Sequence, residues 1–113
     1  MGKIQLQHIK LWQAIKRKNW DLLNYEADHL KESLSDAAIF YVNIPLEYIN
    51  SADQPLRALQ DAVKSKDPSR LARDYAALTA ACNSCHQAAQ VGFIEIITPA
   101  SSPFGNQKFV PKD

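Results

Sequence analysis

Glycine is scarce in this 113-residue chain, with three in all, and no segment alternates apolar with polar side chains. A sheet exposed on one face needs that alternation, and turn residues between its strands, so these absences argue against a β-rich fold. No eighteen consecutive residues are apolar, which argues against a membrane span. The chain has thirteen basic and twelve acidic side chains, so its net charge of +1 gives no argument for nucleic-acid binding.

Apolar positions recur instead at helical spacing and predict an all-α chain, folded as an antiparallel four-helix bundle. We expect helices over about 3–18, 19–42, 53–66 and 68–92, with a connector at 43–52 and Gly92 ending the last helix. Residues 1–98 are predicted to form the bundle. Residues 99–113 are predicted to be an irregular, proline-containing tail, either loosely packed or held by Phe104 and Phe109 in an apolar gap.

The two cysteines of the chain lie in one pentapeptide, Cys82-Asn83-Ser84-Cys85-His86. On a helix, Cys82, Cys85 and His86 leave from one face because they are three and four residues apart. At this spacing each thiol can form a thioether with one porphyrin vinyl group while the imidazole binds the iron. The motif therefore predicts one covalent haem c, attached through Cys82 and Cys85, with His86 as proximal iron ligand.

Other uses of a Cys-x-x-Cys motif fit this chain less well. Redox dithiols usually lie at the start of a helix, whereas this pair lies deep inside a helical segment. Zinc needs further ligands, which only a distant histidine would supply. A disulfide between helical positions i and i+3 is strained and closes a very small loop. A non-haem metal or dithiol protein is therefore kept as an alternative.

The far side of the iron needs a ligand or stays open. Met1 is the only methionine, which argues against a His/Met pair. His8 lies on the apolar stripe of the first helix, and we expect it level with His86 if the first and last helices are antiparallel neighbours. His8 is therefore the candidate distal ligand; the alternative is a histidine hydrogen-bonded to a carbonyl. Trp12, one turn further on, is a candidate for contact with the haem edge.

A haem motif on the last helix of a four-helix chain resembles the class II c-type cytochromes, the cytochrome c′ group, over about residues 3–92. The resemblance implies a periplasmic monohaem bundle with thioethers at Cys82 and Cys85 and a proximal ligand at His86. Those proteins usually carry a basic residue within the motif, where this chain has Asn83 and Ser84. They also tend to end soon after the last helix, whereas this chain continues beyond it.

These residues predict electron transfer by a ferric–ferrous couple, with His86 and His8 on the iron and a redox protein as partner. The resemblance favours an alternative, a five-coordinate haem that binds nitric oxide or carbon monoxide. No catalytic residue is predicted, since no acid–base pair is arranged for it. A second copy of the chain, contacting at apolar positions within 39–49, is a further expected partner. Because this type of haem attachment happens outside the cytoplasm, we expect a periplasmic chain whose signal peptide has been removed.

Overall fold

The computed structural model describes residues 2–40 and 46–112. Within these ranges there are four helices and no strand: α1 (Gly2–Arg17), α2 (Trp20–Phe40), α3 (Leu46–Lys64) and α4 (Pro68–Ala88). Each helix packs against the next in sequence, and α1 also contacts α4, although this pair is the least extensive. The prediction of an all-α four-helix bundle with an irregular C-terminal tail is confirmed.

All four helices contribute to one hydrophobic core. Its members are aliphatic side chains together with a single tyrosine: Leu11, Ala14, Ile15, Leu23, Ala27, Leu30, Leu56, Leu59, Ala62, Val63, Leu71, Tyr75 and Leu78. Burial of this apolar area is the main force that holds the helices together. None of the helices in the described part of the chain is long and apolar enough to cross a membrane.

The third helix begins at Leu46, so the prediction that it opens near Asp53 was wrong. Pro55 consequently lies inside α3, where it cannot donate to the carbonyl of Ser51. Ile49, upstream of the proline, is buried, and its packing outweighs the lost hydrogen bond. That burial also removes Ile49 from the expected dimer surface. The remaining predicted connector residues 43–45 lie outside the described ranges.

The last helix ends at Ala88, four residues before the predicted end at Gly92. Gln90 adopts the left-handed conformation that stops the helix, with φ of 62°, and the Val91 N–H donates to the carbonyl of His86 at 2.8 Å. The expectation that Gly92 performs this role was therefore wrong. As a result, His86 lies in the final turn of α4.

The tail after α4 crosses back over the bundle. Near its start, the backbone of Ile96 is hydrogen-bonded to α4. Further along, Phe104 lies under the ammonium group of Lys10 on α1, at 4.9 Å from ring centroid to nitrogen. Near its end, Phe109 is only 8% exposed and its carbonyl accepts from Asn19, between α1 and α2, at 3.1 Å. The tail thus joins α4 to α1, the neighbouring helices that contact each other least.

Candidate functional site

The cysteine–histidine motif occupies the last two turns of α4. That helix starts at Pro68, and the carboxylate of Asp67 caps it by accepting from the Ser69 N–H at 3.1 Å. The whole motif is helical. Because Cα–Cβ bonds at i, i+3 and i+4 share a helix face, the fold brings Cys82 and His86 to one side of the C-terminal end of α4.

Both cysteines are free thiols and partly buried. Burial, and then the neighbouring charge of Cys85, raise the pKa of Cys82 to about 11. Burial also raises the pKa of Cys85. The C-terminal end of a helix acts in the same direction, because its partial negative charge disfavours a thiolate. Both groups therefore stay protonated at neutral pH, unlike the low-pKa thiols of redox dithiols.

His86 is buried and its ring is oriented by the tail. Nδ1 donates to the carbonyl oxygen of Ile94 at 2.7 Å. A carbonyl can only accept, so Nδ1 carries the proton and a neutral imidazole keeps its lone pair on Nε2. Metal-binding histidines commonly donate their second ring N–H to a backbone carbonyl, which fixes the ring and raises its basicity. His86 therefore has the hydrogen bonding of a metal ligand that binds through Nε2.

Sequence reasoning does not find the tail residues of this site. Ile94 and Ile96 carry no polar side chain that would indicate a role, and Asn83 stands out only as a departure from the motif of the resembling family. Asn83 in fact exchanges two hydrogen bonds with the backbone of Ile96. A carbonyl is present in every residue, so no side-chain pattern could have indicated that the one at Ile94 would meet His86.

His8 is buried between α1 and α4 with both ring nitrogens in hydrogen bonds. Nε2 lies 2.8 Å from the hydroxyl of Thr79, and Nδ1 lies 2.9 Å from the hydroxyl of Tyr75. Burial lowers the pKa of His8 to about 4, so the ring is neutral at pH 7. Each hydroxyl carries one proton and also lies within hydrogen-bond distance of a backbone carbonyl, Tyr75 of the His8 carbonyl and Thr79 of the Tyr75 carbonyl. Because the neutral ring has one N–H, it donates to one hydroxyl, and the other hydroxyl must donate to the ring to complete both hydrogen bonds.

The structure places His8 nearer to the start of α4 than expected. It contacts Tyr75 and Thr79, which precede His86 by eleven and seven residues, or about 16 and 10 Å along a helix. His8 is therefore not level with His86, because Tyr75 and Thr79 lie in the middle of α4 whereas His86 lies in its last turn. To bind iron, His8 would have to give up its hydrogen bond to the hydroxyl of Thr79 or Tyr75. Iron ligation by His8 stays a prediction.

Trp12 is half-buried beside the same group of residues. Its ring centroid lies 4.9 Å from that of Tyr75, with the planes inclined by 30°. Trp12, Tyr75 and His8 therefore form one cluster of packed aromatic rings between α1 and α4. The contact of Trp12 with a haem edge stays a prediction.

A metal site made of side chains alone finds no support in the described residues. Within 2–40 and 46–112, no three histidine, cysteine, aspartate or glutamate side chains converge as a metal-binding group. Zinc requires three or four such ligands. A porphyrin brings its own four nitrogen ligands, so the protein needs to supply only one or two.

Comparisons with known proteins identified no relative: no protein family, no curated protein and no solved structure matches this chain.

Proposed function

We propose that this chain is a monohaem c-type cytochrome that transfers electrons, with haem attached through Cys82 and Cys85 and iron held by Nε2 of His86. One observation carries the proposal: two free cysteines and an imidazole share the end of α4, and Nδ1 of that imidazole donates to the Ile94 carbonyl at 2.7 Å. This is the donor set that a c-type haem requires.

The residues at the site fit such a group chemically. Thioether formation needs reduced cysteines, and Cys82 and Cys85 are both free rather than joined in a disulfide. When bound, the haem iron supplies a one-electron ferric–ferrous couple. His86 tunes that couple, because donation from Nδ1 to Ile94 makes the imidazole more basic and favours the ferric state.

The partner in this proposal is another redox protein, and it approaches the end of the bundle that carries the motif. The exposed basic residues Lys16, Arg17 and Lys18 lie at the end of α1. In an antiparallel bundle that end is next to the start of α4 and remote from His86. We therefore do not assign this basic cluster a docking role. Because the attachment of c-type haem takes place outside the cytoplasm, the proposal includes a periplasmic location.

A second candidate function is binding of a small gas at a five-coordinate iron. The hydrogen bonds of His8 favour it, since both ring nitrogens are already engaged by Thr79 and Tyr75. If those bonds persist with haem present, His8 contributes no second ligand and the distal face accepts nitric oxide or carbon monoxide. Electron transfer with His8 as the second ligand requires instead that His8 leave its contacts with Thr79 and Tyr75 and move towards His86 to bind the iron.

The absorption spectrum of the haem-loaded chain separates the two functions. Sharp ferrous bands unchanged by carbon monoxide indicate two protein ligands, whereas a spectrum that shifts with carbon monoxide indicates an open distal face. His8→Ala should convert low-spin iron to high-spin if His8 is a ligand. The matched control is His29→Ala, since His29 lies half-exposed on α2 and should leave the spectrum unchanged. Absence of a Soret band after cytochrome maturation would reject both haem functions.

A further inference from the structure

The side chain of Asn83 holds the backbone of the tail at two points. Its Nδ2 donates to the carbonyl oxygen of Ile96 at 2.9 Å, and its Oδ1 accepts from the Ile96 N–H at 2.7 Å. One side-chain amide thus satisfies both backbone polar groups of a single residue, as a neighbouring strand does in a sheet. The contact fixes the tail against α4 with a defined register.

That register is what brings a carbonyl to His86. Asn83 and His86 are three residues apart on one face of α4, and their partners Ile96 and Ile94 are two residues apart in the tail. On the other side, the Ile94 N–H donates to the carbonyl of Val91 at 2.8 Å. The Ile94 carbonyl is therefore held from both directions, by the turn before it and by Asn83 after it.

Apolar burial contributes little to the position of this segment. The side chains of Phe93, Ile94 and Ile97 are 84%, 45% and 66% exposed. Stabilisation by the hydrophobic effect scales with the apolar area removed from water, so these three side chains anchor the segment weakly. Ile96 itself is half-buried, so the backbone is held by the polar contacts to α4 together with the partial burial of this one side chain.

We propose that Asn83 is a positioning residue. By anchoring the tail at Ile96, it keeps the Ile94 carbonyl on Nδ1 of His86 and thereby selects the tautomer whose lone pair is on Nε2. In the haem-loaded protein this Nε2 lone pair binds the iron, and only that step rests on the proposed function. This role explains why the motif carries Asn83 in place of a basic residue. The Asn83 amide both donates to and accepts from the Ile96 backbone, whereas a basic side chain can only donate.

The test uses the full-length chain with free thiols, in the wild-type, Asn83→Ala and Asn83→Asp forms. Ser84→Ala is the matched control, since Ser84 is the exposed neighbour of Asn83 within the motif. Amide exchange at Ile96 and the nitrogen chemical shifts of His86 are measured by NMR. Circular dichroism checks that each variant keeps its helices.

We expect wild type and Ser84→Ala to carry the His86 proton on Nδ1. In Asn83→Ala, exchange at Ile96 should accelerate about ten- to a hundredfold, because two hydrogen bonds are lost, and His86 should become a mixture of tautomers. Asn83→Asp still accepts from the Ile96 N–H, so its exchange should be intermediate. This variant also serves if Asn83→Ala fails to fold.

In the haem-loaded protein, Asn83→Ala should raise the midpoint potential relative to wild type and Ser84→Ala, because a less basic imidazole stabilises the ferric state less. A wild-type His86 protonated on Nε2 would overturn the inference. Unchanged exchange, tautomer or midpoint potential in Asn83→Ala would overturn it as well. If no haem adduct forms at all, the proposed function fails, and the exchange and tautomer measurements still decide the role of Asn83.

Discussion

Tyr75 binds His8 at two points. Its hydroxyl oxygen lies 2.9 Å from Nδ1 and 2.8 Å from the His8 carbonyl oxygen, and the two rings stack with centroids 4.5 Å apart. Burial, and then the charge of Cys82, raise the pKa of the Tyr75 phenol, so it stays protonated and able to donate. This contact joins α1 to α4, the neighbouring helices with the least contact otherwise.

Tyr75→Phe removes this hydroxyl, so Nδ1 and the carbonyl oxygen of His8 lose a buried hydrogen-bond partner. We expect the free energy of unfolding to fall by about 1–3 kcal/mol, the usual cost of losing a buried hydrogen-bond partner. Urea unfolding followed by circular dichroism measures it. Tyr25→Phe is the control, because Tyr25 is exposed on α2 and should change stability by less than about 0.5 kcal/mol. Equal effects of the two changes would show that the buried hydroxyl contributes nothing.

His8 should make the stability depend on pH. Its pKa is about 4 in the folded chain, against 6.5 for an unperturbed histidine, so between these values the unfolded chain binds more protons. Its contribution is therefore fully present above pH 6.5 and is lost as the pH falls towards 4, by about 3 kcal/mol. No carboxylate is among its hydrogen-bond partners to compensate the buried charge.

Urea unfolding of the free-thiol chain at a series of pH values measures this dependence. Burial raises the pKa of Glu26, which acts in the opposite direction over part of the same range. The comparison with His8→Gln isolates the histidine, because Glu26 is unchanged in both proteins. Parallel stability profiles of wild type and His8→Gln would contradict the expected titration.

Phe109→Ala tests whether the tail packs on the bundle. The side chain is buried, so its loss should lower the free energy of unfolding by about 2 kcal/mol. Phe93→Ala is the matched control in the same tail, since Phe93 is exposed and should cost less than about 0.5 kcal/mol. Thermal or urea unfolding gives both values. Similar values for the two variants would mean that the tail does not dock through Phe109.

Lys66→Gly should stabilise the chain. Lys66 follows the end of α3 with φ of 50°, a left-handed conformation that is strained for any residue with a Cβ atom. Glycine relieves this strain, and we expect a gain of about 0.5–1 kcal/mol. Ala77→Gly, at an exposed position inside α4, should instead cost about 1 kcal/mol. A loss of stability in Lys66→Gly would show that the lysine side chain is needed there.

The sequence predicted the helices well where apolar spacing and capping residues agreed. Asp67 and Pro68 marked the start of α4, and the structure has both in those positions. Pro55 misled the prediction for α3, because tertiary packing of Ile49 extends the helix through a residue that usually begins one. Gly92 misled the prediction for α4, because Gln90 takes the left-handed conformation instead.

The candidate site was predictable in its side chains and not in its backbone partners. Spacing alone placed Cys82, Cys85 and His86 on one helix face. The burial of His8 was predictable from its position on the apolar face of α1. Its contacts with Tyr75 and Thr79 depend on the axial offset between α1 and α4. Helix lengths counted from predicted ends could not fix that offset, because an error of four residues displaces a side chain by about 6 Å.

The most direct measurement is the intact mass of the denatured full-length chain after production with a cytochrome c maturation system. Covalent attachment predicts a mass increased by one haem, retained after acid extraction and absent from the Cys82→Ser, Cys85→Ser double variant. A wild-type chain at its unmodified mass, or one whose haem is removed by extraction, would contradict it.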